Sequence, residues 1–185
     1  MATTGQVFPG SAESVSESPW SDNTWTAPTN ILADDGNEAS VTAGSYDAPD
    51  QTFVLKAFNF DFSGIPDGST INGVTARFEA RVASTDDADV DLCQLLDTSR
   101  AKVGTNKAST PIDITTTSTV YTQGGASDLW GNSLTAAWVK DPDFGIALAY
   151  LATAANADVF FDYVTLEIDY TPPSIDLPIV VVAPR

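Results

Sequence analysis

The chain has 185 residues, 43% of them hydrophobic, which is enough for one core of ordinary size with arms to spare. Twenty-five acidic against eight basic side chains leave a net charge of −17, which repels polyanions such as DNA and anionic lipid surfaces. The chain contains no histidine, which removes the usual general base, Ser-His triads and nearly every zinc site. No apolar run approaches the roughly 20 residues that span a bilayer. Neither nucleic acid nor membrane is therefore an expected partner.

Met1-Ala2-Thr3-Thr4-Gly5 has no basic start and no apolar h-region, so no cleaved secretion signal is expected. Residues 1–18 are rich in Ser, Thr, Gly and Glu and read as a flexible arm, mobile unless a neighbour orders it. Trp20 and Trp25 flank a turn-rich loop expected to lie across one end of the core, with Pro28 holding an extended course. The Asp35-Gly36 step marks a tight turn before a short strand over 40–43.

Residues 53–62 form a long aromatic strand in which Phe58, Phe60 and Phe62 share one parity and Phe53 and Leu55 the other. That switch predicts a bulge near Lys56 or burial on both sides. Pro66-Asp67-Gly68 is a turn. The next run alternates cleanly, with Val74, Ala76, Phe78, Ala80 and Val82 inward and Thr75, Arg77, Glu79 and Arg81 outward. A strand over 89–96 carries Cys93, which as the lone cysteine forms no internal disulfide and reads as a small strand side chain.

Residues 99–110 are a loop, 110–122 supply one or two edge strands rich in β-branched residues, and Gly124-Gly125 breaks the run. Asn132 or Ser133 is placed to cap one short helix through residues 134–139, stopped by Asp141-Pro142. Two further strands follow. Phe144, Ile146, Leu148 and Tyr150 face one way and Gly145, Ala147 and Ala149 the other; then Val164, Leu166, Ile168 and Tyr170 alternate with Tyr163, Thr165, Glu167 and Asp169. These two read as an antiparallel pair that needs a facing sheet, because an isolated hairpin is marginal in water.

The pattern as a whole predicts an all-β fold: an antiparallel two-sheet β-sandwich with one short helix, its body spanning residues 19–171. Thr171-Pro172-Pro173 ends the body, since proline gives a ladder no donor. Residues 172–185 are an extended, proline-punctuated arm whose apolar side chains are Ile175, Leu177, Ile179, Val180, Val181 and Val182. Burying each is worth roughly 1.5 to 3 kcal/mol, so something covers them. They are the candidate partner-binding residues, by strand addition to a neighbouring subunit or partner protein; the plainer reading is an edge strand on their own domain.

Reactive chemistry finds little support. Asp86, Asp87, Asp89 and Asp91, and Asp34, Asp35 and Glu38 beside Gly36, could offer oxygen ligands to calcium, but neither group has EF-hand spacing. A glycosidase carboxylate pair is assembled in space and has no sequence signature. No phosphate loop, nucleophile elbow or zinc motif is present. Trp20, Trp25, Trp130, Trp138 and Tyr163 could stack on sugar rings, against the plainer reading that they close the core. Asp162, at the start of its strand, reads as a cap for loop amides. No catalytic residue, metal ligand or cofactor site is expected.

The ordered set Trp25…Pro28-Thr29-Asn30-Ile31…Asp34-Asp35-Gly36, Phe58…Phe60…Ile65-Pro66…Thr70-Ile71-Asn72-Gly73-Val74, Leu129-Trp130-Gly131, Phe144-Gly145 and Asp162-Tyr163-Val164…Ile168…Tyr170 resembles a family of tailed-bacteriophage virion proteins. It spans about residues 20–170. The resemblance implies a jelly-roll-like sandwich and a non-enzymatic structural or decoration role on the particle; the terminal arms, which lie outside it, are expected to make the attachment that decorates or stabilises the capsid. The partners would be the major capsid or another virion protein and further copies of the chain, with a trimer favoured. The location would be the surface of a virion assembled in the host cytoplasm. The alternative is a host-receptor or glycan-binding domain of a phage tail or fibre.

Overall fold

A computed structural model describes residues 1–41, 50–83, 88–152 and 157–174. Twelve strands are defined: β1 (Ala2–Thr3), β2 (Pro9–Val15), β3 (Ala39–Val41), β4 (Asp50–Gln51), β5 (Val54–Phe60), β6 (Thr70–Val82), β7 (Ala88–Leu96), β8 (Lys102–Val103), β9 (Ile112–Asp113), β10 (Thr119–Gly125), β11 (Gly145–Ala152) and β12 (Val159–Thr171). They form two antiparallel sheets. The first runs β1-β12-β6-β10 with β3 also on β12; the second runs β2-β5-β11-β7-β8 with β4 on β11 and β9 on β7. The chain crosses repeatedly between the sheets, giving a jelly-roll-like β-sandwich with one short α-helix.

That crossing corrects one expectation. The runs at 144–150 and 162–170 are not paired with each other: β11 lies between β5 and β7, and β12 pairs with β6, β3 and β1 in the facing sheet. Each buries its apolar parity against the other across the core. Phe144, Ile146, Leu148 and Tyr150 meet Val164, Leu166 and Ile168 there, all essentially buried. Aromatic rings link the layers. Phe161 lies 4.8 Å from Tyr150, 5.4 Å from Trp25 and 5.5 Å from Phe78, contacts each worth about 0.5–1.5 kcal/mol beyond burial.

The inward set of β6 is as expected, with Val74, Ala76, Phe78, Ala80 and Val82 in the core. In β5 the parity switch falls later than expected. Leu55 and Ala57 point inward and Phe58 outward; Asn59, at φ 62°, resets the strand so that Phe60 and Phe62 point inward again. The switch is therefore at Asn59, not near Lys56. Burial on both sides is also present, since Val54 on the outer face is as inaccessible as Leu55.

The N-terminal stretch departs most from its expectation as a flexible arm. Ala2 and Thr3 pair with Tyr170 and Asp169, Val7 bridges to Leu166, and the chain then crosses to the other sheet, where β2 pairs with β5. Backbone hydrogen bonds need no apolar side chain, so a polar segment is ordered by capping the two sheet edges. Pro28 opens a 3-10 helix, Pro28–Leu32, rather than an extended course; proline suits a first helical position because its missing N–H has no partner to lose there. The α-helix is a single turn, Ala136–Val139, and its cap is Thr135, whose hydroxyl accepts from Trp138 N at 3.1 Å, in place of Asn132 or Ser133.

Candidate functional site

Ile175, Leu177, Ile179, Val180, Val181 and Val182 lie outside the described residues. The structure fixes where their segment departs. Thr171 closes β12 opposite Thr70, and Pro173 then runs beside the Gly68 turn, where an added Cβ would stand 3.8 Å from Pro173 Cβ.

The tryptophans and Tyr163 do not form an exposed platform. Trp25 and Trp130 are buried, with their indole N–H groups donating to Phe53 O at 2.8 Å and Val74 O at 2.9 Å. Tyr163 is buried beside Phe8. Only Trp20 and Trp138 are half-exposed, and they lie in separate surroundings.

Trp20 closes the outer face of the second sheet. Beneath it lie Val54, Leu92, Leu96, Ala147 and Ala149, a second and smaller apolar cluster. Its Nε1 donates to both Asp91 oxygens at 3.0 Å, and Gln51 Nε2 donates to Asp91 Oδ2 at 2.6 Å. Burial pushes the Asp91 carboxyl above its ordinary value, and the donors from Trp20 and Gln51 only partly oppose it.

Lys102 sits 4.7 Å over the Trp20 ring and, with Lys56, pairs with Glu17. Lys56 Nζ also donates to Arg100 O at 2.8 Å, while the Arg100 side chain covers Phe58 and pairs with Glu13 and Asp143. A continuous ionic lattice thus seals this sheet face. Alternation alone could not reveal it, but the run of small outward residues Gly145, Ala147 and Ala149 was its signal, since small side chains on an outer face leave room for a cover.

Trp138 lines a shallow groove of about 440 Å³ with Ala137, Thr98, Asp97 and Asp141. Two turns hold the carboxylates in place. Asp97 Oδ1 accepts from Ser99 N at 2.7 Å and Ala101 N at 3.0 Å, and Asp141 Oδ1 accepts from Asp143 N at 2.9 Å. Trp138 Nε1 is itself buried and meets no acceptor among the described residues, so it is not presented to the groove. An indole flanked by two carboxylates and a threonine suits a neutral hydroxylated ligand, and its charge excludes anions.

The remaining polar residues have structural duties. Asp162 accepts from Gly36 N at 3.1 Å, the amide-capping role expected of it, and burial raises its pKa. Asp35 Oδ1 accepts from Asn37 N and Glu38 pairs with Arg81. Of the other acidic group, Asp86 and Asp87 lie outside the described residues. Among the described residues no three His, Cys, Asp or Glu side chains gather as a metal site. Cys93 is buried, and burial raises its thiol pKa far above the ordinary range.

No family model matches this chain, and no curated protein matches it. Similar solved structures include one described as "CBM4 structure and function", 17% identical with TM-score 0.42 over 89% of this chain and 95% of that one. A second is the CBM22-1 xylan-binding domain from Paenibacillus barcinonensis, 11% identical with TM-score 0.42 over 94% of this chain and 100% of that one. A third is the N-terminal cellulose-binding domain of Cellulomonas fimi β-1,4-glucanase C, 14% identical with TM-score 0.40 over 95% of this chain and 96% of that one.

Proposed function

We propose that this chain is a non-catalytic structural module of a tailed-bacteriophage particle, joined to another virion protein through its C-terminal apolar tract. What supports the reading is the use made of the residues that carry the resemblance to such virion proteins. Trp25 and Trp130 tie loops to strands through their indole N–H groups, and Asp162 caps Gly36. Gly73 and Gly145 permit close backbone approach: an added Cβ would stand 2.2 Å from Gly125 O and 1.9 Å from Ala57 O respectively. Residues spent in this way on scaffold mark a fold whose work lies at its surface. The N-terminal residues are built into both sheets, and the apolar C-terminal segment is the attachment in this proposal.

The test is cosedimentation with tail-less and genome-free phage heads, using the full chain and a chain ending at Ser174. The full chain should pellet with particles and the shortened chain should remain in the supernatant. Pelleting of both, or of neither, would refute the attachment.

The groove at Trp138 favours a second reading, a glycan-binding domain, because it pairs an aromatic ring with two positioned carboxylates. A glycan array probed with the native chain and with Trp138→Ala separates the two: binding that the substitution abolishes supports the second reading.

A further inference from the structure

The sheet edges of this sandwich are protected unequally. β2, at one edge of the second sheet, carries Pro9 and Glu13, and its Ser14 Oγ accepts from Trp25 N at 3.1 Å, so an outside strand finds that edge obstructed. The opposite edge holds only the two-residue strands β8 and β9. In the first sheet, the free side of β12 is covered by β1, Val7 and β3.

β10 has none of these protections. Its seven residues, Thr-Val-Tyr-Thr-Gln-Gly-Gly, include no charge and no proline, and they pair with β6 on one side only among the described residues. Every second residue of such a strand turns its backbone N–H and C=O away from its partner. Val120 is 45% exposed, while Tyr121 stacks on Phe78 at 5.6 Å and anchors the strand to the sheet. An edge this long, uncharged and anchored is a template for strand addition.

The chain also carries a matching donor. Pro178 and Pro184 bound the run Ile179, Val180, Val181, Val182 and Ala183, which extended would span about 17 Å and fit along the seven residues of β10. The exit point of the segment and the open edge of β10 lie on opposite sides of β6. The segment departs from Thr171, paired with Thr70; Thr70 is bridged on its other side by Thr135, and Val74 N donates to Asp128 O at 2.9 Å. The loop through 126–135 therefore lies along β6 on the side away from the exit point.

We infer that the run 179–183 of one copy adds as an outer strand to β10 of a second copy, extending the first sheet across a subunit boundary. The inference rests on the assembly reading above and names the chain itself as one of its partners. Donor and acceptor are different surfaces, so the contact is heterologous: it builds a ring or a reciprocally exchanged pair where it closes and an open chain of copies where it does not.

Three measurements on the full chain test it. In sedimentation velocity at tens of micromolar, the native chain should be oligomeric, and both the chain ending at Ser174 and the Val120→Lys/Thr122→Lys chain should be monomeric with unchanged circular dichroism. In hydrogen exchange, amides of residues 119–125 should lose protection when residues 175–185 are removed. Mixing Thr122→Cys chains with Val181→Cys chains under mild oxidation should give a disulfide-linked pair. A monomeric native chain, or an internal disulfide in a Thr122→Cys/Val181→Cys chain with none between chains, would overturn self-addition. If that monomer still sediments with particles through residues 175–185, the virion reading stands and only the identity of the partner fails.

Discussion

Replacing Glu17 by Gln tests whether the ionic lattice over the second sheet holds its cover in place. Lys56 is only 6% exposed, and its Nζ has two described partners, the Glu17 carboxylate and Arg100 O. Removing one member of a buried pair typically costs about 3–5 kcal/mol, because the other charge stays buried and uncompensated. Here the Glu17 side chain is 28% exposed, the Arg100 carbonyl remains, and Lys102 can turn to water. The expected loss is accordingly about 2–3 kcal/mol, or about 4–12 °C in Tm for a chain of this size.

Lys56→Met should instead change stability by less than about 1 kcal/mol, since it removes the buried ammonium and keeps the stem's packing. The Glu17→Gln/Lys56→Met chain should then recover most of the Glu17→Gln loss, a coupling of about 1.5 kcal/mol or more.

The pH dependence follows from the carboxyl's displacement. Burial pulls its pKa up, but hydrogen bonds and charge from Lys102 and Lys56 outweigh burial and hold it below its ordinary value of 4.5. An acid lowered in the folded state stabilises above its unfolded value and loses that contribution as pH falls through the folded one. The gap between native and Glu17→Gln chains should be constant from pH 8 to about 5 and close below. Urea unfolding followed by tryptophan fluorescence at pH 7 and pH 3.5 measures it. A Glu17→Gln chain within 0.5 kcal/mol of native at pH 7, or a Lys56→Met chain equally destabilised, would refute the reasoning.

Two further outcomes are expected. Gly145→Ala should cost more than about 3 kcal/mol or prevent soluble expression, because its Cβ would stand 1.9 Å from Ala57 O in the central β5–β11 pair, where neither backbone can yield; soluble yield and thermal unfolding decide. Cys93 should resist a thiol reagent in native buffer for hours and react at once in 6 M guanidinium, since it is fully buried and its thiol is held protonated; rapid native labelling would mean that β7 opens readily.

The sequence made the inward residues of β6 over 74–82, of β11 over 146–150 and of β12 over 164–168 legible because each of these runs alternates, and period two is what a half-buried strand imposes. It misplaced the irregularity in β5 because three phenylalanines on one parity outweighed a single Asn, although Asn is among the few residues that tolerate the left-handed region where Asn59 sits. The N-terminal strands were hidden for a different reason. Their stabilisation comes from backbone pairing with β12 and β5, and a ladder donor or acceptor looks the same in every residue type except proline.

Sheet assignment was hidden by the same property of alternation. Periodicity states that a strand has a dry face and a wet one, but not which strand lies beside it, so β11 and β12 read equally well as neighbours or as opposites. Trp20 covers the outer face of β11, and β5 and β7 hold its two edges. β12 pairs with β6 in the facing sheet and so lies across the core. Candidate sites obey the same logic. The Trp20 cover joins side chains from three chain segments and the Trp138 groove from two, so they exist only once the sheets have chosen their order.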